Sequence, residues 1–193
     1  MRTIRRRTPV VSTPKTKTAI PVPDTVRRDL VIQTALDPHV RSIQFMHQVV
    51  HGGRAVTVGS IIVHRDDGDY MMEVVGPSPL RTPADDETVD RGLTARGIRR
   101  REIAREDIRS EPRFGNARRI WECRNDRHSA RDRHRILETL GERGPQTVGE
   151  LDRLVVTESG ALSVVCTLAC ENALELDIDN HQLGPKTLVR PRR

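Results

Sequence analysis

The sequence predicts an α/β protein: a mixed sheet flanked by helices, followed by a small separate unit of three helices and a hairpin. Three observations carry this. Apolar runs over residues 40–50, 54–64 and 70–75 are separated by His51-Gly52-Gly53 and Asp66-Asp67-Gly68, the signature of strands joined by tight turns. Helical spacing brackets them, with Val26, Leu30 and Val31 sharing a face before the strands and Thr82-Pro83 opening a helix after them. A fresh series of helix caps then begins at Ser129.

Residues 1–23 hold Arg2, Arg5, Arg6, Arg7, Lys15 and Lys17 with four prolines and no acid. Proline removes backbone donors and like charges repel, so this stretch predicts an extended basic arm suited to a nucleic-acid backbone. A helix over 24–36 follows, then the three strands as an antiparallel meander. Thr82 caps a helix running to about residue 96, where Gly97 ends it. A short strand over 98–103 and short helices near 106–109 and 114–123 complete a domain spanning 24–126, with Trp121 expected in its core.

The third domain spans 127–193. Ser129 caps a helix to about residue 142, which Gly144-Pro145 breaks. Thr147 and Glu150 have the spacing of a capping box for a helix through Leu154. A third helix covers 161–172, and 174–178 with 187–190 read as a two-stranded wing. That arithmetic is a winged helix.

The chain has 193 residues and a formal net charge of +6, almost all of the positive charge being arginine. Between Arg96 and Arg135 there are fourteen arginines and seven acids, densest at Arg99-Arg100-Arg101 and Arg118-Arg119. The fork of guanidinium donors suits phosphate, so these residues, with Arg5, Arg6, Arg7, Lys15 and Lys17, are the candidate contacts to double-stranded DNA. Strand alternation separates Arg99 and Arg101 from Arg100. By contrast, residues 136–182 carry two basic residues and nine acids, and the helix over 161–172 has no Lys or Arg. A helix entering the major groove needs cationic flanks, so this one is expected to pack on protein.

Only four aromatic residues occur, too few for a single-strand stacking platform. Cys123, Cys166 and Cys170 read as free thiols; Cys166 and Cys170 with His181 or His128 lack the second loop pair of a structural zinc site. His128 and His134 read as solvated. No segment has the apolar length of a membrane span, and the basic N-terminus lacks a signal core. The expected location is the cytoplasm.

Two strands joined by a tight turn, with Glu73 on the second, form the skeleton on which metal-dependent nucleases place their carboxylates. Around it stand Arg28-Asp29-Leu30, then Leu36-Asp37-Pro38-His39-Val40-Arg41-Ser42-Ile43, then Gln48, and later Glu106-Asp107-Ile108-Arg109 and Asn116-Ala117-Arg118. In this order and spacing the run over roughly 25–125 resembles the TnsA-type transposon endonucleases. The resemblance implies a restriction-endonuclease-like domain followed by a winged helix. It also implies an Asp and a Glu sharing Mg²⁺, a Lys two residues after the Glu, and a further Glu on the helix. Here Gly59 stands at the Asp, Val75 at the Lys and Arg27 at the helix Glu, leaving Glu73 as a vestigial catalytic carboxylate with no cofactor to hold. The expected function is a non-cleaving, DNA-associated transposition subunit that binds DNA ends or a transposase partner. Two alternatives remain open: an active Mg²⁺-dependent endonuclease with relocated ligands, Asp66, Asp67 and Asp69 being the nearest acids, and a winged-helix adaptor or transcriptional regulator.

Overall fold

A computed structural model describes residues 8–76 and 81–192. The chain divides into two compact units, one containing residues 39–108 and most of the N-terminal segment, the other residues 109–193 with 13–15 and 32–38.

In the first unit a short antiparallel pair, β1 (Val10–Val11) and β2 (Ile20–Pro21), leads into α1 (Thr25–Leu36), whose last residues belong to the second unit. Asp24 caps α1, its carboxylate accepting the Arg27 N–H at 2.9 Å. The strands are β3 (Val40–His51), β4 (Arg54–Arg65) and β5 (Gly68–Val74), then α2 (Pro83–Thr94), β6 (Ile98–Ile103) and the single turn α3 (Arg105–Ile108). Sheet order is β3-β4-β5-β6; the first three pair antiparallel and β6 joins β5 in parallel. The parallel partner follows from the helix between them, because a crossover returns the chain in the same direction. The result is a mixed four-stranded sheet with flanking helices, as the sequence predicts.

Strand alternation sorts this sheet's faces. Ile62 pairs with Met71, and both join Val49, Val56 and Val58 in an apolar cluster with Val89 and Leu93 of α2. Ile61 pairs with Met72 on the opposite face. Between Met46↔Ser60 and Gln48↔Thr57 the register slips, so His47 alone faces Val58 and Gly59. Gly59 has φ +56°, the left-handed geometry that a bulge of this kind asks of glycine.

The second unit comprises α4 (Arg113–Glu122), a 3-10 turn at Cys123–Asn125, α5 (Ala130–Arg143), β7 (Gln146–Thr147), α6 (Val148–Leu154), α7 (Ala161–Cys170), β8 (Leu174–Leu176) and β9 (Leu188–Pro191). Its sheet has three strands, not two: β7 adds to β9, giving the order β7-β9-β8. Two residues are too short to show a period of two, so the sequence could not announce β7. The core gathers Ile120, Ile136, Leu140, Leu151, Val164, Val165, Leu168 and Val189, all at most 1% exposed.

The predicted caps form. Ser129 accepts from Asp132 N–H, and Thr147 and Glu150 make the reciprocal box. The Thr147 N–H holds the Glu150 carboxyl below the usual range. A depressed folded-state value contributes stability above the unfolded value that is lost as pH falls through the acid range. Thr147→Ala is expected to cost about 1 kcal/mol, read as a lowered urea midpoint with unchanged slope.

Candidate functional site

Glu73, next to last in β5, lies on the same face as Met71, the face that packs against α2. Its side chain is about one-tenth exposed, and both carboxylate oxygens are engaged by guanidinium groups. Arg81, in the connection before α2 and equally buried, pairs with Oε1. Arg100 of β6 donates from Nε to Oε2 at 2.6 Å. The parallel register sets Arg100 beside Met71 and Glu102 beside Glu73, which brings the Arg100 side chain onto this face. Arg100 Nη1 also lies 3.4 Å from Asp86 and 3.5 Å from Asp90, and Nη2 lies 3.8 Å from Glu102. Asp86 and Asp90 are one helical turn apart on α2, so both face β6. The acids around Glu73 are therefore gathered about an arginine. Among the described residues no three His, Cys, Asp or Glu side chains are grouped to hold a metal ion.

The opposite face borders a pocket lined by Leu30, Val31 and Arg27 of α1, by Ile20 and Phe45, and by Ile61, Met72 and Val74, with Gly59 and Ser60 at the bulge. Glu73 also borders this pocket, so Arg27, Gly59 and Glu73 all line it. The Glu73 carboxylate nonetheless engages Arg81 and Arg100, while Met72 and Val74 present hydrocarbon on the α1 side. Val75 lies just past β5 and is 51% exposed. Arg27 is partly exposed, with Nε 3.7 Å from the Asp24 carboxylate.

The predicted DNA contacts divide. Arg5, Arg6 and Arg7 lie outside the described residues. Residues 8–23 are folded rather than a free arm: Val11, Ile20 and Val22 are buried, and Lys15 is 4% exposed with its ammonium donating to the Asp37 carbonyl at 2.5 Å. Lys15 is therefore a structural cation and not a surface contact. Arg100 is likewise withdrawn, its guanidinium bound to Glu73. Lys17, Arg99, Arg101, Arg118 and Arg119 are exposed. Arg99 lies over the Tyr70 ring, 4.3 Å from its centroid, and donates to the Asp67 carbonyl. Gly68 has φ +134°, a backbone geometry that favours glycine, and a Cβ there would come within 2.3 Å of Arg99 Nη2 and displace the end of that side chain.

Sequence reasoning singled out neither Arg81 nor the acids of α2. The i, i+4 pair Asp86 and Asp90 is a legible signal for a facing cation; nothing local marks Arg81. The two histidines also separate. His134 is 76% exposed, but His128 is half-buried, its Nε2 and Nδ1 within 3.0 Å of the Thr167 and Ser159 hydroxyls. The three cysteines are free thiols. Burial pushes Cys166 up and Cys170 to about 12, so both stay protonated near neutrality. Trp121 is half-buried rather than core. No helix among the described residues is long and apolar enough to cross a membrane.

No family model matches the chain, and no curated protein matches it.

Proposed function

We propose that this is a non-cleaving, DNA-associated protein of TnsA-like descent, with a restriction-endonuclease-like first unit and a winged-helix-like second unit. One observation carries the reading: the surviving carboxylate, Glu73, is neutralised by two arginines where a nuclease would offer it to a divalent cation. Mg²⁺ demands octahedral oxygen ligands and sheds water reluctantly. It would have to displace two hydrogen-bonded guanidinium groups and sit beside their charge. The resemblance supplies the class of partner, duplex DNA or a transposase, and the exposed arginines are compatible with the first.

The test is nicking of supercoiled plasmid by the full chain with Mg²⁺ or Mn²⁺, beside Glu73→Ala. Neither protein is expected to cut above background. Robust cutting that depends on Glu73 would overturn the reading in favour of an active endonuclease. DNA affinity is tested separately at low salt, and its absence would leave the adaptor reading. That second reading has support of its own from α7, the helix in the place of a recognition helix. It carries no charge, and seven of its ten residues are buried in its own unit. A helix so enclosed contacts no groove.

A further inference from the structure

Three of the chain's four aromatic rings carry an arginine: Arg99 on Tyr70, Arg118 on Phe114 and Arg124 on Trp121. Two of these stacks lie in one row. Phe114, Arg118 and Trp121 are spaced i, i+4, i+7 on α4, and Arg124 follows three residues on. Spacings of three and four place residues along a single stripe. The Arg118 guanidinium carbon is 5.5 Å from the Phe114 centroid, and that of Arg124 is 5.1 Å from the Trp121 centroid. Arg124 is further held by donating to the Trp121 carbonyl at 2.9 Å. The adjoining side of α4 is turned inward, with Asn116, Ala117 and Ile120 buried and Trp121 packed against the same core.

We infer that this stripe seats the phosphodiester backbone of duplex DNA, an inference that rests on the proposed DNA association. Arg118 and Arg124 are both exposed, yet each guanidinium rests over a ring. A guanidinium fixed in this way loses less rotamer entropy on meeting a phosphate than a free one. Five donors in a planar fork match phosphate oxygens bidentately. The exposed arginines continue along the chain at Arg127 and Arg131. Against these four cations stand Glu122 and Asp126, so the surface is net positive. Because arginine already covers each ring, bases are not offered an open stacking platform, and the stripe favours the duplex backbone over unpaired bases.

Trp121 is the single tryptophan, so its fluorescence reports on this stripe alone. The experiment titrates full-length protein with a mixed-sequence 20-base-pair duplex and with a single strand of the same sequence, from 50 to 200 mM salt. Duplex is expected to change the Trp121 emission and to bind more tightly than the single strand. The Arg118→Ala, Arg124→Ala double variant, checked for native circular dichroism, is expected to bind more weakly, with a log–log salt slope shallower by about two. Arg118→Lys with Arg124→Lys keeps the charge but loses the planar fork, and is expected to fall between. If the unaltered protein binds duplex while the double variant keeps its slope and Trp121 stays silent, the stripe is excluded and the DNA association stands. If the unaltered protein binds no DNA at 50 mM salt, both fall.

Discussion

Glu73→Ala is expected to destabilise the first unit by about 3 kcal/mol, the scale for removing one partner of a buried ion pair. Alanine leaves the Arg81 and Arg100 guanidinium groups facing each other with their carboxylate gone. Arg81 has the less recourse, because its side chain is about one-tenth exposed and its other acid, Asp86, lies 3.8 Å from Nη1, beyond hydrogen-bond reach. Arg100, one-quarter exposed, retains Asp86 and Asp90. Replacing Glu73 and Arg81 together by methionine should recover most of the loss, since exchanging a buried pair for hydrocarbon of similar size is often neutral. The measurement must resolve the units. Trp121 belongs to the second and Tyr70 to the first, so amide exchange in β5 and β6 is the suitable readout. A neutral Glu73→Ala would show that the carboxylate is not held by its arginines, and would reopen a metal-binding role.

Asn116→Ala should cost the second unit about as much, by a different route. Asn116 is 2% exposed and satisfies three backbone groups of one loop. Its amide donates to the Ile178 carbonyl at 2.9 Å and to the His181 carbonyl at 2.7 Å, and its oxygen accepts from Leu183 N–H at 2.7 Å. Each buried polar group left without a partner costs about 1–3 kcal/mol. A loss of about 3 kcal/mol is therefore expected, read from the Trp121 unfolding transition. Asn116→Asp keeps the acceptor but sets an anion against two carbonyls, and should be no milder. A shift under about 1 kcal/mol in both variants would mean that water replaces the amide, as it does at exposed sites.

Asn116 also shows where a resemblance and a structure part. In the sequence it belongs to the short run Asn116-Ala117-Arg118, one of those on which the resemblance was drawn. In the fold it clamps the loop before β9, within the second unit. The main stretch of that unit begins at Arg109, whereas the fresh series of caps from Ser129 placed a break near residue 126. The shift has a physical cause: Ala117 and Ile120 of α4 belong to the apolar cluster of α5, α6 and α7. No local signal tells a helix which of two cores will bury it.

What the amino-acid order determined by itself was local: the strands, the helices and their caps, because turn residues, capping side chains and apolar periodicity act over a few positions. That Gly59 and Arg27 stand where the TnsA-type resemblance would place carboxylates was an expectation that needed only the residue types. Tertiary structure alone decided what became of the rest. It turned Glu73 towards α2 and drew Arg81 and Arg100 onto it from 8 and 27 positions away in the chain. It buried Lys15, and it laid Arg118 and Arg124 on their rings. Ion pairs and stacks of this kind depend on distances between elements, and those distances exist only once the sheet and helices have packed.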